Sequence, residues 1–306
     1  MPYPIEEKFV IAIASSALFS LGEADQIHKI LGEEAYRQYQ EEHINEVLGK
    51  GVAFSFVRRL LKLNDRLPDQ RPIEVILLSR NSPETGLRVF NSIKAHGLDI
   101  TRAAFFSGGS PYPYIPAYGA TIFLSTNAND VRGAIEAGYP AGLVLDSAVP
   151  DDDSEDLRLA FDFDGVVADD AAEQVFKASN LAGFHASEVA QRWQPMGPGP
   201  LKTMLEKLSR IQNLERIKAQ SDPTYRKALR TAIVTARNAP SHERVITTLK
   251  SWGITVDEAF FMGGIEKKRV LEIMKPHLFF DDQLTHLTSD RVPMVHIPFG
   301  VANRTS

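Results

Sequence analysis

The feature that most constrains this chain is that it says nearly the same thing twice. "FVIAIASSALF" (Phe9–Phe19) lies over "LRLAFDFDGVV" (Leu157–Val167), "ADQIHK" over "AEQVFK", and Gly51 over Gly199. After one length difference the match resumes. Ile76–Gly109 then parallels Ala232–Gly264, and "TIFLSTN" parallels "HLFFDDQ". Self-similarity in this collinear form is the mark of a duplicated structural unit. A chain of 306 residues has room for about two domains of roughly 150 residues each. The polar, acidic stretch "VPDDDSEDL" (Val149–Leu157) sits where the first copy ends and reads as the linker. The expected division is therefore 1–150 and 151–306.

Each copy alternates short apolar runs with helical patterns. In the second copy Leu159–Phe163 reads as a strand. Leu201, Met204, Leu205, Leu208 and Ile211 recur with the spacing of one helix face. "AIVTARN" reads as a strand running into a loop, "SHERVITTLKSWG" as a helix closed by Gly253, and "EKKRVLEIMK" as a helix before the strand "HLFFDD". Strands alternating with helices predict α/β halves with parallel sheets, two Rossmann-like units in tandem. In such sheets ligands bind beyond the carboxyl ends of the strands.

Composition narrows the function classes. The net charge is −5 and no basic block occurs, which argues against a nucleic-acid surface. With no cysteine there is no disulfide, thiolate metal site or thiol nucleophile, as suits a reducing cytoplasm. The apolar run near the N-terminus follows acidic rather than basic residues, unlike a signal peptide. No run approaches the ~20 apolar residues of a membrane span. A cytoplasmic protein with no membrane partner is expected.

The two copies disagree about charge. The second places Asp162 and Asp164 at the end of its first strand, Thr235 at the end of another, Lys267 before a helix, and Asp281 with Asp282 at a later strand end. Opposite these the first has Ala14, Ser16, Ser79, no lysine near Pro111, and Ser125 with Thr126. The scaffold is kept and the charges are not, so folding alone does not demand them. Carboxylates at i and i+2 of a strand share a side and repel when desolvated. An oxygen-rich cluster of this kind suits a hard cation, Mg²⁺ above all. Metal ligands are expected among Asp162, Asp164, Asp281 and Asp282, with the choice between the last two left open. A cation, a lysine and a hydroxyl around one point fit a phosphoryl group. Asp162 could then attack phosphorus, and Asp164 could serve as general acid and base.

"DFDGVV", "VTAR", "GGIEKKRVL" and "FFDDQ", in this order, resemble the four motifs of the haloacid dehalogenase superfamily of phosphatases. Over both halves the chain resembles more closely the cytosolic 5′-nucleotidase type I family, through "EEAYRQYQEEH", "VILLSRNSPETGLRVFNSIKAHGLDITRAAFFSGGSPY", "TARNAPSHERVITTLKSWG" and "PHLFFDDQ". The resemblance implies two haloacid dehalogenase-like halves, the first degenerate, and Mg²⁺-dependent hydrolysis of nucleoside 5′-monophosphates. It puts Asp162 on the nucleophile, Asp164 on the acid/base, and Thr235, Ala236 and Lys267 on the phosphate ligands.

The stretch between Asp164 and Thr235, about 170–228, is expected to form a helical lid. Glu173, Phe176, Phe184 and Trp193 lie in it as substrate-facing candidates, with Phe176 the first choice for stacking on a base. Arg237 and Asn238 follow Thr235 and could reach phosphate or ribose. Because Arg80 and Asn81 occur in the first copy too, a structural use for that pair weighs equally. For the first copy three uses stay open: an interface with the second, a homo-oligomer contact, or a second nucleotide site. Two other functions remain as well, a phosphatase for sugar phosphates or other small esters, and a non-catalytic nucleotide-binding protein.

Overall fold

A computed structural model describes residues 3–152 and 154–303, the side chains of residues 23, 25, 28, 29, 33, 180 and 181 excepted. The protein is α/β and divides into two compact units, Met1–Val144 and Leu145–Ser306. The break falls between Val144 and Leu145, where the strand Ala141–Val144 ends, a few residues before the acidic stretch.

The first unit runs β1 (Phe9–Ile13), α1 (Ser15–Leu18), β2 (Phe19–Ser20), α2 (Gly22–Glu42), β3 (Gly49–Lys50), α3 (Phe54–Arg66), β4 (Ile73–Ser79), α4 (Pro83–Ala95), β5 (Arg102–Phe105), β6 (Ile122–Ser125), α5 (Ala128–Glu136) and β7 (Ala141–Val144). Its main strands are parallel in the order β5-β4-β1-β6-β7. Every residue of β1 and β4 is buried, as a strand covered on both faces requires. Val57, Leu60 and Leu61 of α3 are buried, and that helix packs on β4.

The second unit runs β8 (Leu157–Phe161), α6 (Ala171–Ala190), α7 (Lys202–Ser221), β9 (Leu229–Thr235), α8 (His242–Ser251), β10 (Glu258–Phe261), α9 (Lys268–Met274), β11 (Leu278–Asp281) and β12 (Met294–His296). Its strands are parallel in the order β10-β9-β8-β11-β12. In chain order both sheets read third, second, first, fourth, fifth. The switch point of each sheet therefore lies between its first and fourth strands, β1 and β6 or β8 and β11.

The stretch of about 170–228 holds two long helices, α6 and α7, with different surroundings. Leu201, Met204, Leu205, Leu208 and Ile211 are buried, and α7 packs on β9 much as α3 packs on β4. Its polar positions are tied down too. Gln212 donates to Thr231 Oγ1 (3.1 Å), and the buried Glu215 accepts from the backbone of Ala228 and Leu229 (2.8 and 3.1 Å). The apolar spacing that marks α7 as a helix is the stripe that holds it to the sheet. Only α6 and the turn-rich connection after it are free for another role, and α6 approaches α8. Among the described residues no helix is long and apolar enough to cross a membrane.

Candidate active site

The site is built at the carboxyl ends of β8, β9 and β11. Phe161 and Phe280 are partners in the β8–β11 register, and their rings stack at 5.0 Å. That register sets the next residues side by side, and the Asp162 N–H donates to Phe280 O (2.8 Å). Lys267, just ahead of α9, reaches between the two strand ends. Its Nζ lies 2.9 Å from Asp162 Oδ2 and 2.6 Å from Asp281 Oδ2. All three side chains are almost wholly buried.

Protonation follows from this burial. Desolvation pulls the Lys267 ammonium down, but Asp162 and Asp281 outweigh it and the net shift is upward. Burial pushes Asp281 up, yet Lys267 and His286 beside it leave it below the usual carboxylate range. Asp162 is raised to about 7, first by burial and further by Asp281 and Asp164, against the pull of Lys267. Asp282 goes furthest, to about 9, through burial and the neighbouring charges of Asp162, Asp281 and Glu173.

Asp281 and Asp282 have different surroundings. Asp281 is saturated: its oxygens meet Lys267, the Gln283 N–H (2.9 Å) and His286 Nδ1 (3.2 Å). Both carboxylate oxygens of Asp282 are buried with no hydrogen-bond partner among the described residues. Its main chain is nevertheless fixed, since the Asp282 carbonyl accepts from His296 Nε2 (3.0 Å) and Asn303 Nδ2 (2.8 Å). Gly165 stands against it at φ +73°, and a Cβ there would come within 2.5 Å of Asp282 Oδ2. Glycine is thus required twice over, for the turn and for the approach of this carboxylate.

Orphaned oxygens on a rigidly held, buried carboxylate next to Asp162 fit a hard divalent cation. Asp162, Asp281 and His286 also offer three ligand atoms within 4.8 Å of one another. Asp281 is already engaged by Lys267 and a backbone amide, whereas the Asp282 oxygens have no hydrogen-bond partner among the described residues.

Asp164 lies elsewhere in the same loop. Arg237 grips it with two parallel bonds, Nε to Oδ2 and Nη2 to Oδ1, both 2.7 Å. The guanidinium is buried and also bonds Glu188 of α6; Glu188 in turn accepts from Arg244 Nη1 (2.7 Å). Burial lowers the Arg237 pKa, but Asp164 and Glu188 prevail and raise it. Arg237 is thus a positioning residue for Asp164, and its fork is not turned to a substrate in this arrangement.

The remaining sequence candidates fall into three groups. Thr235 is buried at the end of β9, where its Oγ1 accepts from the Arg237 N–H (3.2 Å), and Ala236 beside it is exposed. Glu173 and Phe176 lie one turn apart on α6; Glu173 pairs with Lys177 (3.2 Å), and its charge also adds to the upward shift of Asp282. Phe176 is half exposed and meets Phe184 edge-on at 6.1 Å. Phe184 itself is buried, with Arg237 5.5 Å from its ring centre, so it is a core residue of the α6 packing. Trp193 is 73% exposed and Asn238 is exposed.

Sequence reasoning missed Glu188, Arg244, His286, His296 and Asn303. Only Arg237 carried a signal for that group, since an Arg-Asn pair in both copies suggested a structural task.

The acidic, lysine-bridged cluster thus stands at the switch point of a parallel α/β sheet. The family model for 5′-nucleotidase matches residues 1–304, and the chain belongs to that family. It is 34% identical to human cytosolic 5′-nucleotidase 1B over 296 residues, which is 94% of this chain and 48% of the human protein. The chain thus spans about half the length of the curated relative it matches. No solved structure is significantly similar to it.

Proposed function

We propose that the second unit hydrolyses nucleoside 5′-monophosphates to nucleoside and phosphate with Mg²⁺, and that Asp162 carries the phosphoryl group in between. The observation that supports this most is the Lys267 bridge between Asp162 and Asp281 beside the unsatisfied Asp282, in a chain of the 5′-nucleotidase family. Mg²⁺ would be held by Asp162 and Asp282, and when bound it supplies charge stabilisation for the phosphoryl oxygens.

The chain's own residues do the rest. Lys267 keeps Asp162 aligned and adds positive charge where the phosphoryl oxygens gather. Asp162 attacks phosphorus, and the bond to the ribose 5′-oxygen breaks as that oxygen takes a proton from Asp164. A water molecule then attacks the aspartyl-phosphate. Asp164 receives its proton, and Asp162 is released with inorganic phosphate. Asp164 can donate only when one of its oxygens leaves Arg237, so the Glu188–Arg237–Asp164 chain links α6 to the proton-transfer group. We read α6 as the lid, Phe176 as the ring that stacks on the base, and Thr235 with the Ala236 backbone as phosphate contacts. We also read the two units as haloacid dehalogenase-like copies of one ancestor, and place the protein in the cytosol, as its human relative is named.

A phosphate-release assay over nucleoside monophosphates and sugar phosphates, with EDTA or Mg²⁺, tests this. Turnover of nucleotides that needs Mg²⁺ and exceeds that of ribose 5-phosphate is the expected result. Equal kcat/KM for both substrates, or full activity in EDTA, overturns it.

A further inference from the structure

The first unit has a cavity of about 590 Å³ at the carboxyl ends of β1, β4 and β6, bordered by residues of α2 and of the loop after β5. It occupies the switch point of its own sheet, the place that the acidic cluster holds in the second unit. The chemistry of its wall is inverted. Among the described residues its charged lining is Arg37, Arg80 and Asp130. Arg80 binds both oxygens of Asp130 at 2.6 Å, and Ser110 Oγ donates to the same carboxylate (2.6 Å), so this acid is fully satisfied. Arg37 is the other cation of the lining; its ion-pair partner Glu34 is exposed at 3.6 Å and does not line the cavity, and its charge also reaches Glu84.

Donors face the same space. Thr126 Oγ1 donates to Ser16 Oγ (2.6 Å), so Ser16 keeps its own proton to give. Ser15 and Ser79 share one hydrogen bond (2.8 Å), which leaves one of their two protons over. Asn81 Oδ1 accepts from Tyr36 Oη (3.2 Å), while Asn81 Nδ2 is buried without a partner among the described residues. A buried donor without a partner costs about 1–3 kcal/mol unless a ligand satisfies it. The volume lies within the range of small-molecule sites, about 300–1,000 Å³, and is far more than a bare phosphate fills. Tyr36, Leu21 and Pro111 give it flat and apolar wall.

We propose that this cavity binds a nucleoside 5′-phosphate, without metal and without hydrolysing it. Its phosphate would be met by Arg37, Ser16 and Asn81, and the nucleoside would lie toward Tyr36. Hydrolysis is absent because Ala14 has no nucleophilic atom and, among the described residues, the one carboxylate of the wall, Asp130, is held by Arg80 and Ser110.

The test is equilibrium dialysis of adenosine 5′-monophosphate in EDTA, using the full chain with Asp162→Asn so that nothing is turned over. A class of sites in the first unit is expected, weakened at least tenfold by Arg37→Gln and removed by Ser16→Asp, which sets a negative charge where the phosphate lies. Aspartate occupies the matching place in the second unit, so the change suits the backbone. Should Ser16→Asp fail to fold by circular dichroism, the half-exposed Arg37→Gln still decides. An isotherm that neither variant alters overturns the proposal, as does inorganic phosphate binding as tightly as the nucleotide. The outcome is independent of whether the second unit is a hydrolase, because phosphate release reads that unit and the change that Arg37→Gln or Ser16→Asp makes in the isotherm reads this one.

Discussion

The strand ends of the two units share a backbone and differ in charge. After β4 the Asn81 N–H donates to Ser79 Oγ (3.2 Å); after β9 the Arg237 N–H donates to Thr235 Oγ1 (3.2 Å). After β6 the Asn127 N–H donates to Ser125 Oγ (3.0 Å); after β11 the Gln283 N–H donates to Asp281 Oδ1 (2.9 Å). The turns need an oxygen at these places, and a hydroxyl serves as well as a carboxylate. What the turns do not need is negative charge. Asp162 and Asp282 therefore carry a desolvation cost in the second unit, while the first unit at the same place is donor-rich. The arginines after β4 and β9 show the same contrast. Arg80 closes on Asp130 of α5 and finishes a local structure. Arg237 closes on Asp164 and Glu188, and so ties the loop after β8 to α6.

The largest effect tests whether charge alone separates the two. Asp162→Asn keeps the shape and removes the nucleophile, and turnover should fall by about 10⁴-fold or more. Adding Ala14→Asp to that variant should restore nothing, because the first unit lacks the bridging lysine and the second acidic pair. Recovery of phosphate release in the double variant would break the comparison.

Next comes the buried ion cluster. Glu188→Ala leaves Arg237 and Arg244 without a shared partner, and the loss of one member of a buried pair costs about 3–5 kcal/mol. Urea denaturation should show a loss of this size, and Asp130→Ala should cost less, since Arg80 is 37% exposed and water can replace its partner. Equal losses would mean that the α6 link is no tighter than the local pair.

A third prediction concerns pH. Folding raises Asp282 from 3.8 to about 9, so the folded state holds this proton more tightly than the unfolded chain. The stability it contributes is full below its unfolded value and is lost as pH rises toward about 9. A cation bound to the carboxylate relieves that loss. The Tm gain from Mg²⁺ should accordingly be several degrees larger near pH 8.5 than near pH 5.5 by thermal shift. A gain independent of pH would remove Asp282 from the metal site.

The smallest effect is at Phe176 of α6. Stacking on a base is worth about 1–3 kcal/mol. Phe176→Ala should raise KM for a nucleotide about tenfold and leave kcat within about threefold. An unchanged KM would reject this ring and leave Trp193 as the exposed aromatic to test.

The sequence by itself determined the parallel α/β halves, since apolar runs at matched intervals in both copies can be satisfied only by strands buried on two faces. It also determined which strand ends carry charge, because a duplicated chain supplies its own control: Ala14 against Asp162 needs no coordinates to interpret. Three things were decided only by the tertiary structure. The spacing that marks α7 as a helix does not say what its apolar face covers, and the fold sets that face on β9. Which of Asp281 and Asp282 is engaged by Lys267 and the Gln283 amide, and which has no hydrogen-bond partner among the described residues, depended on how the strand ends meet. The task of Arg237 depended on Glu188 and Asp164, far from it in the chain and joined to it by long-range folding. Periodicity and spacing encode local structure and the face a residue takes; which buried charge finds a partner, and which is left for a ligand, is fixed only when distant segments close around it.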